Sequence, residues 1–449
     1  MAAEAAGSGL RRSGTSVVQR LRGKAVRRVG WGVADQAVSS LTNFAVSIYV
    51  VRNLGAVQFG AFSLAYVTYG FALCASRGLS TDPLMVRFSG TDVPTWRRAV
   101  GSCTGAAAIC GLAMGVCALA AAVAIGGTAG AAFLALGLTL PGLMLQDSWR
   151  YSFFALGRGG QAFLNDTIWA VVMLPALLGL RMTGHASVFW FVFAWGAAAG
   201  VAAAVGPLQA RVVPRLTGAW GWLVQHRDLG PRYLLEGTSN SAANQLRTYG
   251  VGLILGLATL GAVQASVTLM GPMTILFLGM GLVLIPEGAR VLQRAPHRLT
   301  LFCVLVSAGL SAAAVGWGVA LLITVPRGLG ATVIGPIWRP TYPLILPQLL
   351  FVVAGATASG ASAGLHALGS AKRSLNVAFI ASGLLVAFSV AGAVWAGAVG
   401  TIYGMAAAAW IATVLAWWQL LVAVRESDRI PARRGGRHAT PRTLEDEPG

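Results

Sequence analysis

Charge is what this chain has least of. Of its 449 residues only 10% are Asp, Glu, Lys or Arg, against roughly 25% in an ordinary soluble domain. That shortage excludes a soluble globular enzyme, a disordered chain and a coiled coil. Acid is scarcer than base, with 14 carboxylates against 33 basic residues, and only Lys24 and Lys372 of the 33 are lysine. Cysteine is limited to Cys74, Cys103, Cys110, Cys117 and Cys303. All five lie in or beside apolar runs, and their odd number does not suit a disulfide framework. Cys103, Cys110 and Cys117 recur every seven residues, the spacing of a packing face on one helix. No His/Cys/carboxylate cluster, nucleophile elbow or phosphate-binding loop stands out, so an enzyme reading has nothing to attach to. Neither a metal nor a cofactor is expected.

What the chain has instead is apolar length. It is 56% hydrophobic, with a mean hydropathy of +0.70. Runs long enough to cross a bilayer recur from end to end. They predict twelve spans, near 31–51, 57–76, 99–125, 128–155, 163–181, 186–208, 233–256, 260–285, 299–324, 341–366, 374–396 and 399–424. The expected architecture is an all-α integral membrane protein with two parallel six-helix lobes around a central cavity. The lobes cover 31–208 and 233–424, joined by a cytoplasmic linker over 209–232. A basic cytoplasmic tail, 1–30, precedes them and a charged, Pro/Gly-containing cytoplasmic tail, 425–449, expected to be disordered, follows. Val17, Val18 and Leu21 among the N-terminal charges suit either a segment on an anionic leaflet or a solvated topology signal.

The net charge is +19. In a soluble protein that would suggest nucleic acid. Here the basic residues fall between the apolar runs, as cytoplasmic loops require. With the N-terminus inside, 28 of the 33 lie on the inner side, Arg52, Arg181, Arg327 and Arg339 lie outside, and Arg247 sits within a span. The expectation is therefore a multi-pass protein of the cytoplasmic membrane, both termini inside, with no nucleic-acid partner.

An internal repeat occurs at an offset of 201 residues. Leu54-Gly55 and Phe59-Gly60-Ala61 match Leu255-Gly256 and Leu260-Gly261-Ala262. The same offset pairs Asp35 with Glu236, Ser40 with Ser241 and Asn43 with Asn244. Six spans per half is an even number, so the halves start on the same side. Their axis then runs along the membrane normal, and the substrate belongs between them.

Polar residues inside the bilayer are costly and carry the functional hypothesis. Asp35, Ser39 and Asn43 share one face of span one, and Glu236, Asn240 and Asn244 one face of span seven. The two stripes face a common cavity or, for their Ser and Asn members, hold neighbouring helices together. Arg247 continues the second stripe, about 21 Å along the helix from Tyr233. A guanidinium at that depth needs an anion: Asp147, Asp35 or a ligand, and its fork of donors suits phosphate oxygens. At the end of span four, Asp147 and Arg150 either pair on one helix face or belong to an interfacial Trp/Arg/Tyr cluster. The candidate substrate residues are thus Arg247, Asn244, Asn240, Asn43, Ser39, Arg150 and Asp147. Asp35 and Glu236 are the candidates for ion coupling.

The stretch Arg52-Asn-Leu-Gly-Ala-Val-Gln-Phe-Gly-Ala-Phe-Ser-Leu64 resembles the polysaccharide-biosynthesis flippases. These are the Wzx-type lipid-linked oligosaccharide exporters of the multidrug/oligosaccharidyl-lipid/polysaccharide exporter superfamily. Ala155-Leu-Gly-Arg158 and Gly335-Pro-Ile-Trp-Arg-Pro-Thr-Tyr342 are similar to that family's loops before spans five and ten. The resemblance implies a monomeric, V-shaped two-lobe carrier that flips an undecaprenyl-pyrophosphate-linked glycan by alternating access. It also implies membrane lipid as solvent, and polymerases or glycosyltransferases as working partners. The peptidoglycan-precursor branch usually has fourteen spans and basic residues in its first helix. This chain has none between Gly32 and Val51, which disfavours that branch. The multidrug branch often carries an acid in span one, the place of Asp35, so a cation-coupled drug or small-molecule antiporter of the same fold is the alternative. A membrane-embedded glycosyltransferase would need a sizeable external loop, and every outer loop here is short.

Overall fold

A computed structural model describes residues 31, 35, 38–324 and 329–429. The basic N-terminal segment and the tail beyond 429 lie outside the described residues. Nine helices among the described residues are long and apolar enough to cross a membrane. The last of them is divided by a break at Ala396–Gly397. Another begins at the break at Gly256 and continues through Gly271–Arg294. With the shorter helix 38–53, the twelve spans are complete, and the chain is a multi-pass, all-α membrane protein.

We label them α1 (38–53), α2 (Ala56–Phe88), α3 (Val93–Ile125), α4 (Gly127–Ala155), α5 (Gly159–Met182), α6 (Val188–Ala210), α7 (230–255), α8 (257–294), α9 (Leu299–Thr324), α10 (Ile345–Ala367), α11 (371–395) and α12 (398–429). Between α6 and α7 a short helix, Ala219–Gln225, packs on α2 and α3. It is held there by Arg215, whose amide donates to the Gly101 carbonyl at 2.7 Å. Asp92 caps α3 by accepting from the Thr95 amide at 3.0 Å, and that bond holds its carboxyl below the usual carboxylate range. The heptad of cysteines on α3 is not one packed face: Cys103 is buried and Cys117 exposed.

Two departures from the expected spans matter. The second span runs on to Phe88 through a π turn, Arg77–Thr81. This carries Arg77, expected in an inner loop, into the bundle. The eighth is jointed at Met270, between Leu269 and Gly271.

The repeat has a physical counterpart at the crossing of α2 and α8. A Cβ on Gly60 would collide with the Leu257 carbonyl, and one on Gly261 with the Ala56 carbonyl. Each member of that quartet is 201 residues from its equivalent, so the pseudo-two-fold axis passes between Gly60 and Gly261. Only a residue with no side chain lets the two backbones approach so closely. Gly60→Ala or Gly261→Ala is therefore expected to cost about 1–3 kcal/mol through overpacking. Gly70→Ala, on the same helix with nothing within 4 Å of its Cβ, should be neutral or stabilising. Thermal unfolding of the purified variants checks the contrast.

Candidate functional site

A polar cavity beside the lobe boundary has a volume of about 320 Å³. Asp35, Ser39, Asn43, Asp147 and Arg150, five residues expected from the sequence, line it together with Arg77. α1, α2 and α4 supply these side chains, with Asp35 just ahead of α1. The pairing is not the i, i+3 contact that the Asp147/Arg150 spacing suggests. Arg77 takes Asp147 in a two-pronged grip, Nε donating to Oδ2 at 2.9 Å and Nη2 to Oδ1 at 2.6 Å. The Arg77 guanidinium also lies 4.7 Å from the centre of the Tyr151 ring. Arg150 instead donates to Asp35, through Nε at 2.8 Å and through Nη2. Arg150 Nε is also 3.3 Å from Asp166 Oδ2.

Asp166 extends the cluster into α5. Gln146 Nε2 donates to Asp166 Oδ1 at 2.8 Å and to Asn165 Oδ1 at 3.2 Å. Asn165 Nδ2 in turn donates to the Ala202 carbonyl and to Gln209 Oε1 at 2.8 Å. Three carboxylates, Asp35, Asp147 and Asp166, thus face two guanidiniums, Arg77 and Arg150. Taken as ionised, the cluster holds one negative charge more than positive. Asp35 Oδ1 is buried with no hydrogen-bond partner among the described residues. Arg77, Gln146, Asp166 and the aromatic lining were not singled out from the sequence. The Asn165-Asp166 dyad inside an apolar run was the legible signal, while Arg77 had none, because the π turn hides it at a span end.

The second stripe is placed differently. Asn244 is exposed on its lobe, but Arg247 is 5% exposed and turns into the C-terminal lobe. Its Nη2 donates to Asn244 Oδ1 at 2.7 Å, and Nη1 lies 3.5 Å from Met405 Sδ. Neither Asp147 nor Asp35 is its partner, since both are taken by arginines of the N-terminal lobe. Arg247 therefore does not line the polar cavity. The side chains of Glu236 and Asn240 lie outside the described residues.

The lobes meet unevenly. Between α2 and α7, Gln245 donates to the Val67 carbonyl, and the Thr68 and Tyr249 hydroxyls are hydrogen-bonded. At the repeat-related junction, α1 with α8, the Phe44 ring packs on Gly271. A crevice of about 370 Å³ lies there, lined by Ser40, Asn43, Phe44 and Ser47 of α1 and by Gln264 and Thr268 of α8. Asn43 and Tyr66 border both this crevice and the polar cavity.

No family model and no curated protein matches the chain. Solved structures do. An inward-facing multidrug resistance MATE family transporter of the MOP superfamily aligns with a TM-score of 0.66 at 16% identity, covering 88% of this chain and 96% of that one. The lipid II flippase MurJ in an inward closed conformation aligns at 0.64 and 11%, covering 89% and 90%. An outward-facing MATE family transporter aligns at 0.55 and 16%, covering 90% and 96%. The chain has the fold of MOP superfamily transporters.

Proposed function

We propose that this protein flips a polyprenyl-pyrophosphate-linked oligosaccharide across the cytoplasmic membrane by alternating access, for export of a cell-surface polysaccharide. The observation that carries the reading is the α1–α8 crevice. It joins a hydrophilic cavity to the lobe boundary, and its lining mixes hydroxyl and amide groups with Phe44, Phe59 and Phe62. A glycan attached to a lipid needs such a lining, because the sugar crosses through polar surroundings while the chain stays among apolar ones. Arg77 and Arg150 border the cavity, and a pyrophosphate would have to displace Asp147 and Asp35 from their forked donors. The lipid II flippase among the similar structures supports a lipid-linked cargo for this fold. Deleting the gene should abolish the surface glycan and accumulate its lipid-linked precursor on the inner leaflet. Normal surface glycan in the deletion strain would refute the reading.

Cation coupling is the second reading, and one observation favours it. Among the described residues the Asp35/Asp147/Asp166 cluster has a surplus negative charge and Asp35 Oδ1 has no partner, which suits a proton or a monovalent cation. Under this reading Asp35 couples ion movement to the change of access, in a drug antiporter or in the flippase itself.

The orientation is part of the proposal. The distribution of arginine puts the end that carries Arg215 and Lys372 in the cytoplasm. Drawing Arg77 and Arg150 into the bundle removes two charges from the inner side and leaves the bias intact. In a background lacking the five native cysteines, His185→Cys should react with an impermeant thiol reagent outside intact cells. Lys372→Cys should react only after the membrane is opened. Both sites are exposed, and His185 avoids Gly184, whose φ of +73° would strain a cysteine. Labelling of position 372 from outside would overturn the orientation.

A further inference from the structure

A second pocket lies at the arginine-rich end of the N-terminal lobe, apart from the cavity described above. It measures about 320 Å³ and is lined by Arg97, Arg158, Gln161, Gln209, Ala210 and Arg211. Three span ends bring the arginines together. Arg97 is near the start of α3, Arg158 is the residue before α5, and Arg211 follows α6. No carboxylate lines the pocket, and none of the three arginines is in an ion pair among the described residues. Like charges gathered without counter-charge repel one another, so the arrangement favours an anion between them.

Two further observations point to an occupant. Gln209 borders the pocket, and its buried Nε2 has no hydrogen-bond partner among the described residues. Arg211 is the one non-glycine residue with positive φ among those described, at φ 54° and ψ 45°. Glycine usually fills this position after a helix, because a β-carbon is strained there.

We propose that this pocket binds a phosphate group, and that the bound phosphate is coupled through Gln209 to the buried charge cluster. Arginine forks match phosphate oxygens, and the Gln209 side chain borders them. The level of the pocket, at the ends of three spans, is that of lipid headgroups, where basic pockets take anionic lipids. A free phosphate could present the same oxygens. Gln209 Oε1 accepts from Asn165, which is joined through Gln146 to Asp166, next to Arg150 and Asp35. Occupancy fixes Gln209 and, through it, Asn165 beside Asp166. The anion thus becomes a regulator of the cluster without entering the cavity.

Binding can be read without any transport assay, so the proposal stands or falls apart from the flippase reading. Full-length protein is placed in nanodiscs of phosphatidylcholine alone or with phosphatidylglycerol, and native mass spectrometry counts the phosphatidylglycerol retained. In a second arm, inorganic phosphate is compared with chloride at equal ionic strength for its effect on thermal unfolding. Retained phosphatidylglycerol identifies a lipid headgroup, and stabilisation by phosphate a free anion; either supports the pocket. Arg158→Gln and Arg211→Gln should each weaken binding about tenfold, the loss of one charge-assisted bond. Arg298→Gln, an exposed change in the other lobe, should bind as the unaltered protein does. Should the glutamine variants fail to fold, Arg158→Lys and Arg211→Lys keep the charge, lose the fork and should still bind more weakly. Equal binding of both probes by the unaltered and arginine variants would overturn the site. For the coupling, the bound anion should slow backbone amide exchange over residues 159–167, and Gln209→Leu should remove that effect. Slowing that persists in Gln209→Leu would overturn the coupling.

Discussion

Arg150→Met is expected to cut the amount of folded protein in the membrane several-fold, the largest loss of any single change in the polar cavity. Arg150 is 14% exposed and stands between Asp35 and Asp166, whose side chains are 1% and 4% exposed. Removing it strands two carboxylates in dry surroundings, where breaking a buried pair costs about 3–5 kcal/mol. The loss comes from the abandoned charges more than from the pair itself. Arg150→Met combined with Asp35→Asn and Asp166→Asn should therefore recover abundance while transport stays lost. Arg77→Met should behave in the same way toward Asp147, with a smaller effect, because Arg77 is 26% exposed and water can still reach the acid. Detergent-extracted abundance and thermal unfolding check both series. Unchanged abundance in Arg150→Met would show that the cluster is solvated in the membrane.

Arg247→Met should have the opposite signature: abundance kept or raised, and export sharply reduced. Among the described residues its polar contacts are Asn244 and the Met405 sulfur. Glu236 is three turns away on the same helix. A buried guanidinium without a carboxylate costs several kcal/mol, and methionine would fill the same volume beside Met405 without that cost. A buried charge at that cost points to a ligand. Arg247 anchors the Asn244 carboxamide, which is exposed at the lobe surface, and under the proposed flippase reading the pair is the candidate contact for the pyrophosphate. Arg247→Lys keeps the charge without the fork and should retain part of the export. Export equal to that of the unaltered protein in Arg247→Met would remove it from the transport cycle, and a collapse in abundance would expose a structural partner.

The fold was largely legible because its determinants are local. Apolar length marks a span, and glycine marks the points where spans turn or touch. The twelve runs and the Gly55/Gly256 and Gly60/Gly261 correspondences could all be read from one chain. The polar site was legible only as an inventory. Helical period places Asp35, Ser39 and Asn43 on one face, and they do share a cavity. Period cannot say which acid meets which arginine, because those choices join residues 70 and 115 positions apart. It also cannot foresee the π turn that brings Arg77 inside. Arg247 shows the limit most clearly. Its spacing continues the stripe of Asn244, yet its long side chain turns toward Met405 and away from the cavity.

The most direct measurement is movement of the cargo itself. Purified protein is reconstituted into vesicles that carry a polyprenyl-pyrophosphate-linked oligosaccharide, and an added impermeant glycosidase reports the glycan reaching the outer surface. The account predicts protein-dependent exposure of the glycan, abolished when Ser47→Cys and Thr268→Cys are cross-linked across the α1–α8 crevice and restored on reduction. A glycan that stays in its leaflet, while the same vesicles exchange a cationic dye for protons, would contradict it and leave the antiporter reading in its place.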